Sequence, residues 1–143
     1  MTRVDFHLNV GDKIDYACRL IRKVRKAGQR AVVFCEDESR LREFDAALWS
    51  FSPLEFIPHL PDSDPLASRT PVLLTTRVEE LPHHEVLVNL GAVVPQGFES
   101  FERLIEVVTA DVEDRQQARE RWRHYADRGY AIVRHDLGGA EGR

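Results

Sequence analysis

Val4-Asp5-Phe6-His7-Leu8 alternates apolar and polar side chains, the period of a strand with one buried face, and Gly11-Asp12 interrupts it. The period then changes. Ile14, Ala17, Cys18, Ile21 and Val24 recur at the offsets of one helix face, while Lys13, Arg19, Arg22, Lys23 and Lys26 fall mostly elsewhere, so a helix is predicted up to a cap at Gly28. Residues 30–35 carry Ala-Val-Val-Phe without alternation, as a strand covered on both faces does. Strand, helix and covered strand within about thirty residues make a βαβ unit, whose strands run parallel with a right-handed crossover.

The pattern continues in kind. A helix is expected over residues 38–49, then Pro53, a short strand at 54–57 and a turn-rich, mobile loop at 60–65. Apolar runs predict strands at 72–75, 86–89 and 103–109, the first two separated by a loop carrying Pro82, His83 and His84. A long helix over 112–128 closes at Gly129, and 130–134 supplies a last strand. The expected architecture is a single α/β domain over residues 1–136, with a Rossmann-like, mostly parallel sheet flanked by helices. Residues 137–143, small and polar, form a flexible tail.

Composition narrows the function classes. The chain has 143 residues, 43% hydrophobic and 31% charged, with a formal net charge of -4. That balance disfavours coating nucleic acid by electrostatics alone, which takes many cations against phosphates. Apolar runs fall far short of the roughly 20 residues of a membrane span, and the first residues lack the apolar core of a secretory signal. A cytoplasmic protein with Cys18 and Cys35 reduced is the expectation.

Candidate chemistry is sparse. The first strand-to-helix loop, Asn9-Val10-Gly11-Asp12-Lys13, has one glycine and sets Asp12 where a phosphate must approach, so no phosphate-binding glycine motif is present. Cys35 ends a central strand, where α/β enzymes keep nucleophiles, and a nucleotide- or cysteine-dependent enzyme at that sheet edge is the rival reading. Against it, Glu36, Asp37 and Glu38 follow at once and would suppress a thiolate. These acids also suit the start of a helix, by capping and by the helix dipole. His83 and His84 are read as solvent-exposed loop residues, and no metal or other cofactor is expected.

Two surfaces stand out at 100° per residue. On the 38–49 helix, Trp49 falls about 120° from the stripe of Leu41, Phe44 and Leu48; with Phe56 it marks either an apolar surface patch or a ring covered by the 51–59 loop folding back. On the last helix, Ala118, Trp122 and Tyr125 form an inward face, flanked by Arg115, Arg119 and Arg123 at about 60°, 100° and 140°. From Arg115 to Arg128, five arginines stand against Glu120 and Asp127, a local 5 − 2 = +3. Guanidinium groups beside an aromatic edge fit carboxylates next to an apolar side chain.

Several short segments, in order, carry a resemblance. They include Phe34-Cys35-Glu36-Asp37-Glu38, Asp45-Ala46-Ala47-Leu48-Trp49, Phe56-Ile57-Pro58-His59, Val86-Leu87-Val88-Asn89-Leu90 and Ala118-Arg119-Glu120-Arg121-Trp122. Together they resemble the chi subunit family of bacterial DNA polymerase III over nearly the whole chain. The resemblance implies a non-catalytic adaptor that links the clamp loader, through the small psi subunit, to the acidic C-terminal tail of single-stranded-DNA-binding protein. That tail ends in aspartates followed by Ile-Pro-Phe. Arg119, Trp122 and Arg123 match the family's tail-holding positions, with Val112 expected at the apolar floor. Trp49 and Phe56 match its psi-facing aromatics, and a DNA-repair helicase is an alternative partner there. Contact with nucleic acid would be indirect.

Overall fold

A computed structural model describes residues 1–51 and 57–138. Its strands are β1 (Arg3–Val10), β2 (Ala31–Phe34), β3 (His59–Pro61), β4 (Val72–Thr75), β5 (Val86–Asn89), β6 (Arg103–Thr109) and β7 (Ile132–Asp136). The α-helices are α1 (Lys13–Lys26), α2 (Glu38–Phe51) and α3 (Val112–Asp127). All described strand pairs are parallel, in the order β3-β4-β2-β5-β6-β1-β7. This is the expected α/β fold.

Strands β1, β2, β4, β5 and β6 divide their side chains between two cores. Val33, Val88, Ile105 and Val107 pack under α1 and α2 with Ile21, Phe44 and Leu48. Val4, Phe6, Leu87, Leu104 and Val108 pack under α3 with Ala118 and Tyr125. Coverage of both faces is why the central strands are uninterrupted in apolar character. Asp12 caps α1 by accepting from Asp15 N at 2.8 Å, and Asp111 caps α3 through Asp114 N at 3.3 Å.

Several expectations are corrected. The strand predicted at 54–57 falls largely outside the described residues; Ile57 is buried outside any strand, and β3 (His59–Pro61) runs into the loop read as mobile. There Asp62 accepts from Thr75 Oγ1 at 2.9 Å, holding the turn to β4. The last strand starts two residues later than expected, Leu137 N donates to Leu8 O at 2.9 Å and Gly138 N to Asp136 Oδ1 at 2.9 Å, while residues 139–143 of the expected tail lie outside the described residues. Lys13, placed on the polar side by its charge, is buried and pairs with Asp114 at 3.0 Å, tying α1 to α3. His83 is 3% exposed, with Nε2 3.2 Å from Thr70 O, whereas neighbouring His84 faces outward against the edge of Phe101.

Burial makes the fold acid-sensitive. Desolvation, then the nearby His135, lowers His7 from 6.5 to about 4, and desolvation lowers His83 as well. These rings stay neutral when folded but take a proton when unfolded, so they stabilise the fold above pH 6.5 and that contribution is lost as pH falls toward 4. Burial alone would raise the Asp114 carboxyl, but the Thr109 amide and Lys13 hold it below its ordinary 3.8, adding a further loss in stronger acid. The urea midpoint should therefore fall between pH 6.5 and 4, and His7→Gln should flatten that fall. An unchanged pH profile in the variant would contradict this assignment.

Candidate functional site

The face of β1, β6 and β7 under α3 is not completely covered. A cleft of about 530 Å³ remains, with Phe6, Leu8, Val108, Ala118 and Trp122 as its apolar lining and Arg115, Arg119, Arg123 and Arg134 as its cations. Trp122 is half-buried and rests on Phe6, ring centroids 4.8 Å apart at 51°, so its position is fixed from below. Arg119, Trp122 and Arg123 share this cleft. Val112 does not: it is 68% exposed at the first turn of α3, outside the lining. The apolar floor comes from β1 and β6 instead, because the strand register brings Phe6 and Val108 beneath the helix.

The arginines of α3 divide by direction. Arg121 is 2% exposed, with Nε donating to Glu106 Oε1 at 3.0 Å and Nη1 to Ala92 O at 3.0 Å. Glu106 is wholly buried, and its other oxygen accepts from Tyr125 Oη at 2.5 Å and Asn89 Nδ2 at 3.1 Å. Desolvation and then the Glu106 charge push the Tyr125 hydroxyl far above its ordinary range, so it stays protonated as a donor. Arg121 therefore drops out of the surface charge counted from sequence. Glu106 inside the apolar run Leu-Ile-Glu-Val-Val was the available signal, because a covered carboxylate requires a buried cation.

Arg115, Arg119 and Arg123 are exposed and make no hydrogen bond or salt bridge within the described residues. They succeed one another at one-turn intervals, where like charges repel. The network beneath them fixes the helix carrying them.

The second predicted surface is partly in view. Trp49 is 49% exposed at the end of α2 and lies over His59, ring centroids 4.2 Å apart. His59 is held beneath it by Ile57 O, which accepts from Nδ1 at 2.7 Å, and its Nε2 lies 2.9 Å from Asp45 Oδ1 without hydrogen-bond geometry. Phe56 lies outside the described residues.

The carboxyl edge of the sheet holds a crevice of about 660 Å³, lined by seven carboxylates against Lys13 and Arg40, a field that repels phosphates. Cys35 is wholly buried there and desolvation pushes its thiol up, away from thiolate chemistry. Asp37 caps α2 through Ser39 N at 3.0 Å. Glu36 accepts from Ala92 N at 3.0 Å and fills the space over Gly91, where a Cβ would lie 1.7 Å from its Oε1. The sequence did not foresee that His7 and His135, paired in register on β1 and β7, bring their rings to 4.8 Å, with Tyr16 Oη 2.5 Å from His7 Nδ1.

A parallel α/β domain with a basic, aromatic-floored cleft and an acidic sheet edge defines the class. The chain belongs to the family described as DNA polymerase III chi subunit, HolC, whose pattern it matches over residues 1–133. It is 34% identical to the DNA polymerase III subunit chi of Pseudomonas aeruginosa over 142 residues, 96% of this chain and 98% of that protein. Similarity extends to the same subunit of Haemophilus influenzae, 28% identical across 87% of each chain. The Escherichia coli subunit is 24% identical across 80% of this chain and 79% of its own. An accessory role in DNA replication follows from this membership. Among the described residues no helix is long and apolar enough to cross a membrane.

Proposed function

We propose that this chain is a non-catalytic tether of the DNA polymerase III holoenzyme, linking the clamp loader to single-stranded-DNA-binding protein by receiving its acidic C-terminal tail in the α3 cleft. The observation that carries the reading is the row of Arg115, Arg119 and Arg123, without salt bridges, beside an apolar floor in a chain of net charge -4. Such a row costs folding free energy through self-repulsion, and an anionic ligand reverses that cost. The tail's aspartates meet the arginines while its terminal phenylalanine packs on Trp122 and Leu8, the partly exposed apolar groups of the cleft. Because exposed charges are screened and a flexible peptide must be ordered, binding should be of roughly micromolar strength and weaken with salt.

The exposed Trp49 ring supports a second contact with psi or a helicase, away from the cleft. Titrating a synthetic tail peptide into wild type and Trp49→Ala separates the two surfaces. Equal peptide affinity, with partner co-purification lost only in the variant, is expected. A tail peptide that fails to bind wild type at low salt would end the tether reading.

A further inference from the structure

The cleft has cations on two elements. Arg115, Arg119 and Arg123 stand along α3, spanning about 12 Å of helix axis. Arg134 stands on β7, in register with Phe6 of the floor. Resting on the reading above, we propose that Arg134 holds the terminal carboxylate of the tail, while the α3 arginines hold the aspartates upstream.

Chain geometry separates the two kinds of anion. In an extended peptide the last aspartate before Ile-Pro-Phe lies about 10 Å from the terminal residue, so one guanidinium cannot serve both ends. The α-carboxylate stays next to the phenylalanine whose ring occupies the floor. Arg134 is the strand-side cation paired with that floor.

The surroundings of Arg134 keep its donors available. Its nearest carboxylate, Asp136, accepts from Asn9 Nδ2 at 2.7 Å and from Gly138 N at 2.9 Å, both through Oδ1. Arg134 Nη2 is left 3.5 Å from Oδ2, longer than a charge-assisted hydrogen bond. Asn9 reaches Asp136 from a left-handed conformation, φ 59°, at the irregularity where β1 loses register between His7 and Val10. Irregularities of this kind re-aim side chains beside binding sites. Here the result is a carboxylate turned toward Asn9 and a guanidinium left for a ligand.

The test is a cycle of two proteins and two peptides, read by fluorescence anisotropy: wild type and Arg134→Gln, each with the free-acid tail peptide and its C-terminal amide. Amidation should weaken binding to wild type by about tenfold, the scale of one charge-assisted contact, and should weaken binding to Arg134→Gln little further. Replacing the peptide aspartates by asparagine should weaken both proteins alike. If amidation costs Arg134→Gln as much as it costs wild type, the carboxylate sits elsewhere and the assignment is overturned while the tether reading stands. If wild type binds neither peptide, both fall. Arg134 is largely exposed and its loss should leave the melting temperature unchanged, so reduced binding reports the contact itself.

Discussion

Arg119→Ala combined with Arg123→Ala should weaken tail-peptide binding by roughly a hundredfold or more, the scale expected when two charge-assisted hydrogen bonds to the ligand are removed at once. Both side chains are exposed on α3 and make no salt bridge, so their removal costs the fold nothing and relieves repulsion along the helix. The melting temperature of the double variant should equal or exceed that of wild type. This pairing of weakened binding with unchanged or raised stability is what distinguishes a ligand site from a solvated helix face. A double variant that binds the peptide as tightly as wild type would show that the cleft is not the site.

Arg121→Ala should do the reverse. Removing the cation leaves Glu106 wholly buried with only Tyr125 and Asn89 as donors, and breaking a buried pair from one side costs about 3–5 kcal/mol. That is a large fraction of the roughly 5–15 kcal/mol that holds an ordinary domain together. Urea unfolding should show the loss directly, and Glu106→Gln introduced beside Arg121→Ala should recover part of it, because the charge left uncompensated is then gone. A change below about 0.5 kcal/mol in the single variant, the scale of a surface substitution, would mean that water reaches Glu106. Neighbouring arginines on one helix thus serve opposite ends: Arg121 fixes α3 to the sheet, whereas Arg119 and Arg123 face solvent.

The division between legible and hidden features follows the range of the interactions. Helix faces and covered strands were readable because their periods are local: Leu41, Phe44 and Leu48 on α2, and the unbroken Ala-Val-Val-Phe of β2, fall where the pattern places them. The angular count also set Ala118 and Tyr125 inward and Arg115, Arg119 and Arg123 on one flank. Arg121 was counted with the surface charges; it sits at about 300° from Ala118, beside Tyr125, and its partner, Glu106, lies on another element.

What depends on long-range pairing was not readable. The order of the parallel sheet decides that β1 and β7 lie beside β6 under α3, and with it that Phe6, Leu8 and Arg134 join a cleft whose other residues lie between positions 108 and 126, apart from Asn9. Val112 was expected at the floor from the resemblance to the family's tail pocket; the helix begins there and turns it outward. His83 was read as exposed from its polar loop, but that loop folds over Thr70. The two aromatic positions expected at the partner surface differ in standing, since Trp49 is described and Phe56 is not.

The central claim is that the α3 cleft receives the acidic tail, and an amide and methyl chemical-shift titration of the labelled protein with the free-acid tail peptide tests it most directly. The account predicts concerted, saturable shifts at Leu8, Val108, Ala118 and Trp122 and at the Arg119 and Arg123 amides, with Trp49 and the Cys35 crevice unmoved. Shifts confined to Trp49 and its neighbours, or saturation with the cleft silent, would contradict it.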